Sequence, residues 1–594
     1  MHPRASCAVL KYTIIERFGR AAALLLVCAA VVHSAVGRPQ PEGDLESRKD
    51  CQPEQVHLAL TGDPTEMRVS WKTDGAGCSG RLHWASDNGD MLLSSTSLNQ
   101  SLPSEESSYS AEDMCSEPAI NYNFDPPHLH SAVITGLVPG DRYQYRIGSH
   151  LPLSSFRAAA KPAPDAGFTF IVYGDMGESD HRAAKSPGAA DTAENVKQEI
   201  LDRGADLVLH MGDISYANGE VRIWDAFMRY IERYASAAPY MIGVGNHEYD
   251  YRTGREKHRK RARHPDASGS EEPYDPDWGN YGNDSGGECG VAVAKRFRMP
   301  NRETAAGPPS NAPFWYGFDY GSVHFTILSS EHDLHNGSLQ REWLEAELAG
   351  VDRCVTPWLL VGLHRPMYVP YPHKSNRVDI LEDTFLRHEV DMVMSGHVHL
   401  YARTCSVKHD RCKKPGRGGI THVTVGCGGH KLSAIEDDQK AWIASAASHF
   451  GYGRVTVDDS GSLLWEYVRT KDGRTHDHVR LHNHQADRCN AARNASADGA
   501  LLGSFADVSD EIDDELADVD ADWVDELAEE QAGGRYFEGV DEDERGCLED
   551  EEDMEDEEDV ESQLGEQESD EDRWHPTVLG DSAEQLRSKI VAAS

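Results

Sequence analysis

The stretch Phe168-Thr169-Phe170-Ile171-Val172-Tyr173-Gly174-Asp175-Met176-Gly177 decides the fold. Its first six residues are almost all apolar or aromatic and read as a strand buried on both faces, which then breaks through a glycine directly into a carboxylate. The same arrangement recurs four times downstream. Leu207 to Met211 runs into Gly212-Asp213-Ile214-Ser215-Tyr216, and Tyr240 to Val244 into Gly245-Asn246-His247-Glu248. Trp358 to Val361 runs into Gly362-Leu363-His364, and Val390 to Met394 into Gly396-His397-Val398-His399. Thr192 to Arg203 and Leu339 to Leu348 have helical spacing between these strands. Strands alternating with helices predict an α/β domain. Open α/β sheets hold ligands at the carboxyl ends of their strands, which is where all five motifs fall.

Upstream, from Cys51 to about Ala160, the pattern changes to short alternating runs such as Val56-His57-Leu58-Ala59-Leu60 and Met67-Arg68-Val69-Ser70-Trp71, separated by Gly, Pro, Asp and Asn. These predict an all-β unit. Within it, Leu137-Val138-Pro139-Gly140-Asp141-Arg142-Tyr143-Gln144-Tyr145 resembles the turn-into-strand signature of fibronectin type III sandwiches, in which a tyrosine pins a corner. A Pro- and Ala-rich linker, Ala158 to Ala166, separates the two units. Residues 1–37 carry basic residues, the apolar run Ala21 to Val32 and small residues up to Gly37, the pattern of a cleaved secretory signal. That run is shorter than the roughly 20 residues a spanning helix needs, so no membrane span is expected in the mature chain. The expected division is therefore signal 1–37, all-β unit 51–160, α/β unit 165–483 and tail 484–594.

The 594 residues carry a net charge of −43, but Ser504 to Arg573 alone holds 34 carboxylate residues against three arginines, leaving only −12 for the rest of the chain. That balance argues against a nucleic-acid-binding body. The tail is acidic and poor in aromatics, a composition that predicts disorder over most of its length. Asp518, Asp520, Asp522 and Glu529 match four positions of a calcium loop, but Trp523 stands where such a loop needs glycine, so no defined calcium site is assigned. The basic run Arg252 to Pro265 reads as a solvated insertion and receives no role. Twelve cysteines, two of them in the signal, in a chain entering an oxidising compartment predict disulfides, with Cys405 and Cys412 the best local pair. Sequons at Asn99, Asn283, Asn336 and Asn494 fit the same secretory route.

One Asp or His at a strand end is ordinarily capped by backbone, but five coincident motifs point to a shared site. Together they supply oxygen and nitrogen donors suited to hard or borderline metals, and their glycines let the backbone turns approach closely. A phosphate ester presents negative charge to its nucleophile. Hydrolysis therefore needs charge neutralisation and an acidified water, which two metals provide, and a proton for the leaving group, which histidine provides. Neither a Gly-x-Ser-x-Gly elbow nor a P-loop lysine motif competes for the assignment.

With Val351-Asp352-Arg353, Thr356-Pro357-Trp358 and His364-Arg365-Pro366-Met367-Tyr368 added to the five motifs, the chain resembles the purple acid phosphatases from roughly Cys51 to His482. The likeness is to the larger type with an N-terminal fibronectin type III-like domain. It implies a metallophosphoesterase sandwich of mixed sheets flanked by helices, behind the all-β domain. It also implies that Asp175, Tyr216 and His399 hold Fe(III), that Asp213 bridges, and that Asn246, His364 and His397 hold a divalent zinc, manganese or iron. Tyr216 discriminates most, because phenolate is a hard anionic ligand and related metallophosphoesterases usually lack it. By the same resemblance His247 and His373 contact phosphate and assist the leaving group, although the family often has a histidine pair where this sequence has His373-Lys374. The implied activity is acid hydrolysis of phosphate monoesters by a metal-bound hydroxide. A nucleotide pyrophosphatase or phosphodiesterase using the same site is the alternative, and a secreted cation-binding protein with an inactive catalytic domain stands behind both.

Overall fold

The computed structural model describes residues 49–489, except 79, 88–97, 99, 149–152, 251–282, 303–306, 370–377, 415–416, 436–439, 459–460, 484 and 486–487. The signal, the basic run 252–265, His373, the sequons at Asn99 and Asn494, and the acidic tail with its calcium-loop pattern lie outside the described residues.

The N-terminal part is all-β, as its alternating runs predict. One four-stranded sheet joins Glu54–Ala59, Met67–Thr73, His128–Ile134 and Glu105–Ser107, and another joins Gln100–Pro103, Arg81–Ser86, Arg142–Ile147 and Ser154–Arg157. Both are antiparallel throughout. Trp71, Leu82, Tyr145 and Phe156 from the two sheets belong to one continuous core. The expected corner is present, with Val138 N–H donating to the Tyr143 hydroxyl at 2.8 Å.

The five motif strands divide between two mixed sheets. In the first, Tyr240–Gly243, Leu207–Met211 and Phe168–Tyr173 run parallel, and Gly451–Val457, Ser462–Arg469 and Thr475–His482 continue it antiparallel. In the second, Val323–Ile327, Trp358–Gly362, Met392–Ser395 and Ile420–Val425 run parallel, flanked by the antiparallel Tyr316–Tyr320 on one side and Tyr401–Lys408 on the other. Residues on both parities of the parallel strands are buried, Thr169 alone in Phe168–Tyr173 being only partly so, because one face meets helices and the other meets the opposing sheet. Between the sheets Phe170 meets Phe325 edge to face at 5.2 Å, and Tyr401 stacks on Tyr467 at 4.0 Å.

Helices Ala189–Leu201 and Leu339–Gly350 fall where the spacing predicts them. Ser338 begins the second of these with its hydroxyl accepting from Arg341 N–H, a side-chain N-cap. Helix Val221–Ala235 was not among the expected elements. It buries Trp224, Phe227, Met228, Ile231 and Tyr234 along one face, and Glu232 and Tyr234 near its end accept from the cap residue Ser236.

Among the described residues there are four disulfides: Cys51–Cys78, Cys115–Cys289, Cys354–Cys489 and the expected Cys405–Cys412. Such a set fits an oxidising compartment. Among the described residues no helix is long and apolar enough to cross a membrane.

The strand Ile420–Val425 buries His422, neither of whose ring nitrogens has a hydrogen-bond partner among the described residues. Burial pushes its pKa down from 6.5 to about 3. An unfolded chain therefore takes up this proton below pH 6.5 while the folded chain does not. The contribution of His422 to stability is complete above pH 6.5 and falls as pH drops toward 3, by about 1.4 kcal/mol per pH unit. His422→Leu is expected to flatten the pH dependence of stability by that slope, read from urea denaturation between pH 7 and pH 5.

Candidate metal centre

All five motif loops leave the carboxyl ends of parallel strands, and their side chains meet in one buried cluster. The turns are tight. Asp175, Asp213, Tyr216 and His397 all have left-handed backbone, with φ of 59°, 50°, 52° and 67°. Non-glycine residues held there cost of order 1–3 kcal/mol each and persist only where the surroundings over-determine them. The glycines beside them are needed for space: a Cβ at Gly245 would lie 2.3 Å from Asp213 Oδ1, and one at Gly396 would lie 2.5 Å from Asp175 Oδ2. The Glu248 carboxylate supplies much of the restraint, accepting from the N–H groups of Asp213 and Ile214 at 2.8 Å each and of Gly245 at 3.0 Å.

Two triads of possible metal ligands share Asp213, one with His364 and His397, the other with Asp175 and His399. On the first side the Asn246 Oδ1 lies 3.1 Å from both His364 Nε2 and His397 Nδ1, and Asp213 Oδ1 lies 3.3 Å from His364 Nε2. On the other the Tyr216 hydroxyl lies 3.2 Å from Asp175 Oδ1, 3.3 Å from Asp213 Oδ2 and 3.1 Å from His399 Nε2. All seven expected ligands are therefore brought together, in two groups that meet at one carboxylate. The donor types fit a pair of cations: a phenol and two carboxylates suit a hard ion, and imidazoles with an amide oxygen suit a divalent one.

Backbone carbonyls turn two of the rings. His364 Nδ1–H donates to Met211 O at 2.9 Å and His399 Nδ1–H donates to Lys431 O at 2.8 Å, so each presents an Nε2 lone pair to the cluster. The outer nitrogen of His397 meets Arg365 instead, with Nη1 at 3.1 Å. His247 sits at the half-buried rim, its Nδ1 3.0 Å from Asn218 Oδ1 and its Nε2 4.0 Å from Asp213 Oδ2. Of the two residues expected to handle phosphate and leaving group, only His247 is among the described residues.

Charge in the cluster is out of balance. Burial alone would raise the Asp213 pKa, but His364 and His247 hold it well below the usual carboxylate range. His364 in turn is pushed up to about 10, since Asp213 and Asp175 outweigh the burial that opposes its charge. Tyr216 is driven well above the ordinary phenol value by burial, then by Asp175 and Asp213. Buried carboxylates that draw protons onto their neighbours in this way are suited to receive cations in their place.

Several residues of the site were not anticipated. Arg365 is buried and donates to both Glu331 oxygens at 2.9–3.1 Å and to Asp250 Oδ2 at 3.3 Å, so a neutralised cation backs His397. His430 stacks on Tyr216 with ring centroids 4.0 Å apart. Asp284 accepts from Asn246 Nδ2 at 3.0 Å, and Glu288 accepts from Gly219 N–H and Trp224 Nε1–H at 2.8 Å each. The last two flank the Ser285-Gly286-Gly287 turn, whose glycine pair between carboxylates was the available signal.

Comparison with known proteins finds three family models along the chain: "Purple acid Phosphatase, N-terminal domain" over residues 53–158, "Calcineurin-like phosphoesterase" over 168–401, and "Iron/zinc purple acid phosphatase-like protein C" over 419–478. The chain is 31% identical to "Probable inactive purple acid phosphatase 27" of Arabidopsis thaliana across 62% of its own length, and spans 60% of that relative. It is 29% identical to "Nucleotide pyrophosphatase/phosphodiesterase" of Hordeum vulgare across 56% of its length and 88% of that relative. Among solved structures it is similar to purple acid phosphatase PPD1 from yellow lupin (Lupinus luteus) seeds, with a TM-score of 0.61 and 28% identity over 72% of this chain and 74% of that one.

Because Glu248 answers three buried N–H groups, Glu248→Ala is expected to cost at least about 3 kcal/mol, at roughly 1–3 kcal/mol for each group left stranded. Urea denaturation measures that cost. Elemental analysis of the same variant is expected to show metal content falling with it, because two of the donor loops lose their common anchor.

Proposed function

Since this chain belongs to the purple acid phosphatase family of metallophosphoesterases, we propose that it hydrolyses phosphate monoesters at a two-metal centre. In this reading Asp175, Tyr216 and His399 hold Fe(III), Asn246, His364 and His397 hold a divalent zinc, manganese or iron, and Asp213 serves both. The observation that carries it is the single buried carboxylate of Asp213 faced by two donor groups of different hardness. When bound, such a pair of cations neutralises phosphate charge and acidifies a water, the more so with a trivalent ion.

The remaining roles fall to the chain. The His247 backbone N–H fixes the Asp213 carboxylate at 3.0 Å, and the glycine-lined turns keep bulk out of the space around it. His247, steadied by Asn218 and half-exposed, is placed to contact phosphate and to give a proton to the leaving group. His373 is proposed for the same task on the resemblance alone. The reading includes the module boundaries 51–160 and 165–483 and passage through the secretory route.

A second reading is favoured by the barley relative, whose name describes a nucleotide pyrophosphatase/phosphodiesterase: the same centre acting on phosphoanhydrides or diesters. The Arabidopsis relative bears the name of a probable inactive enzyme, against which stands the full complement of seven ligands in this chain.

The test is a visible spectrum with metal analysis on the purified protein, followed by side-by-side rates on a chromogenic monoester, the corresponding diester and a nucleoside diphosphate from pH 4 to 8. A visible charge-transfer band that Tyr216→Phe abolishes, together with fastest hydrolysis of the monoester, is the expected result. A faster rate on the diphosphate or diester selects the second reading. A metal-loaded protein inert toward all three substrates would overturn the proposal and leave a cation-binding protein.

A separate prediction concerns the shared carboxylate. Asp213→Asn retains its shape but removes a charge from both sides of the cluster. It is expected to lower hydrolysis by a factor of 100 or more and to reduce the content of both metals, not one, which elemental analysis reads directly.

A further inference from the structure

A primary amide has two ends of nearly equal shape and opposite polarity, and only its oxygen can ligate a cation. For Asn246 to serve the centre, something must decide which end points inward. Oδ1 faces the cluster, 3.1 Å from His364 Nε2 and from His397 Nδ1, while Nδ2 turns away and donates to Asp284 Oδ2 at 3.0 Å. A carboxylate accepts and does not donate, so Asp284 can pair only with the amino end. The reversed amide would set oxygen against oxygen.

The carboxylate is also fixed in space by the segment that carries it. Ser285 N–H donates to Asp250 O at 2.9 Å, and Gly286 O and Gly287 O each accept at 2.9 Å, from Ala119 N–H and Cys115 N–H respectively. Glu288 clasps Gly219 and Trp224, and Cys289 is bonded to Cys115. The turn packs so closely that a Cβ at Gly286 would lie 2.1 Å from Asn218 O, and one at Gly287 would lie 2.2 Å from Ser116 O. One short stretch, Asn283 to Gly290, thus ties the Cys115–Ala119 segment of the N-terminal part to the loops carrying Asn218 and Asn246.

We propose that Asp284 is a positioning residue for the divalent side of the centre: it holds the Asn246 amide with Oδ1 toward His364 and His397, and so sets divalent-metal affinity without touching the metal or the substrate. The proposal rests on the two-metal reading above. It predicts an effect confined to one side, because among the described residues the cluster contacts of Tyr216 and Asp175 run to Asp213, His399 and His397 and not to Asp284.

The experiment measures Zn²⁺ affinity by chelator competition on the iron-loaded full chain, with the tyrosine-to-iron band as an independent report on the other side. Asp284→Ala is expected to weaken Zn²⁺ binding about 10- to 100-fold while leaving the band in place. Asp284→Asn, which keeps an acceptor oxygen in the same position, is expected to recover part of that loss, and it also serves if the alanine variant does not fold. Zn²⁺ affinity within about twofold of the unaltered protein in both variants overturns the proposal. Loss of band and Zn²⁺ affinity together also overturns it, by showing a general collapse. An unaltered protein that binds iron but no Zn²⁺ or Mn²⁺ defeats the two-metal reading itself, and this inference with it.

Discussion

The Asp213 carboxylate is almost fully removed from solvent, 1% exposed, and each of its oxygens faces a different set of donors. Oδ1 takes the His247 backbone N–H at 3.0 Å and faces His364, while Oδ2 faces the Tyr216 hydroxyl. A charge so placed has little water to stabilise it, so groups nearby must. His364 and His399 are drawn toward their charged forms, His397 is held away from its own by burial and by Arg365, the tyrosine is likewise held neutral, and several of the loops bearing these groups adopt backbone conformations that an isolated chain would avoid. Much of the surrounding structure follows from keeping this carboxylate where both donor groups meet it.

That requirement explains why two sheets are used. A single sheet would offer its strand ends along a line, whereas a sandwich lets three strand ends from one sheet and two from the other close on a common point. Asp175, Asp213 and Asn246 come from the first sheet, and His364, His397 and His399 from the second. The aromatic contacts between the sheets, Phe170 with Phe325 and Tyr401 with Tyr467, fix the spacing over which the two sets meet. His397 N–H donating to Asp175 Oδ2 at 2.8 Å joins them directly at the centre.

Around the centre, polar groups to which the sequence alone assigns no role are paired in a second layer. Arg365 lies between Glu331 and Asp250 behind His397, and Glu248 gathers the Asp213 and Gly245 turns. The N-terminal sheets enter this layer as well. Arg296 is 2% exposed and reaches Tyr109, Gln55 and Asp225, and Tyr145 donates to Ser236 O at 2.7 Å. Through these contacts, and through Cys115 and Ala119 donating to the Gly286-Gly287 turn, the all-β part braces the helices and the turn behind the site, although it supplies none of the seven candidate ligands.

The sequence alone determined the strand ends and the candidate ligand types that stand at them. Largely apolar runs breaking at a glycine next to Asp, Asn or His carry their own signature, because a strand buried on both faces admits few polar residues before it ends. The helix Val221–Ala235 was legible in the same sense, from its regular apolar spacing, although it was absent from the expected elements. What the tertiary structure decided was everything that depends on residues distant in the chain: the division of the strands between two sheets, the meeting of Asp175 with His399, the stacking of His430 on Tyr216, and the pairing of Asn246 with Asp284, 38 residues away. Local sequence records which groups stand at the end of an element. Which way an amide faces, or which ring covers another, is set by packing between elements, and that information is carried by no single stretch of chain.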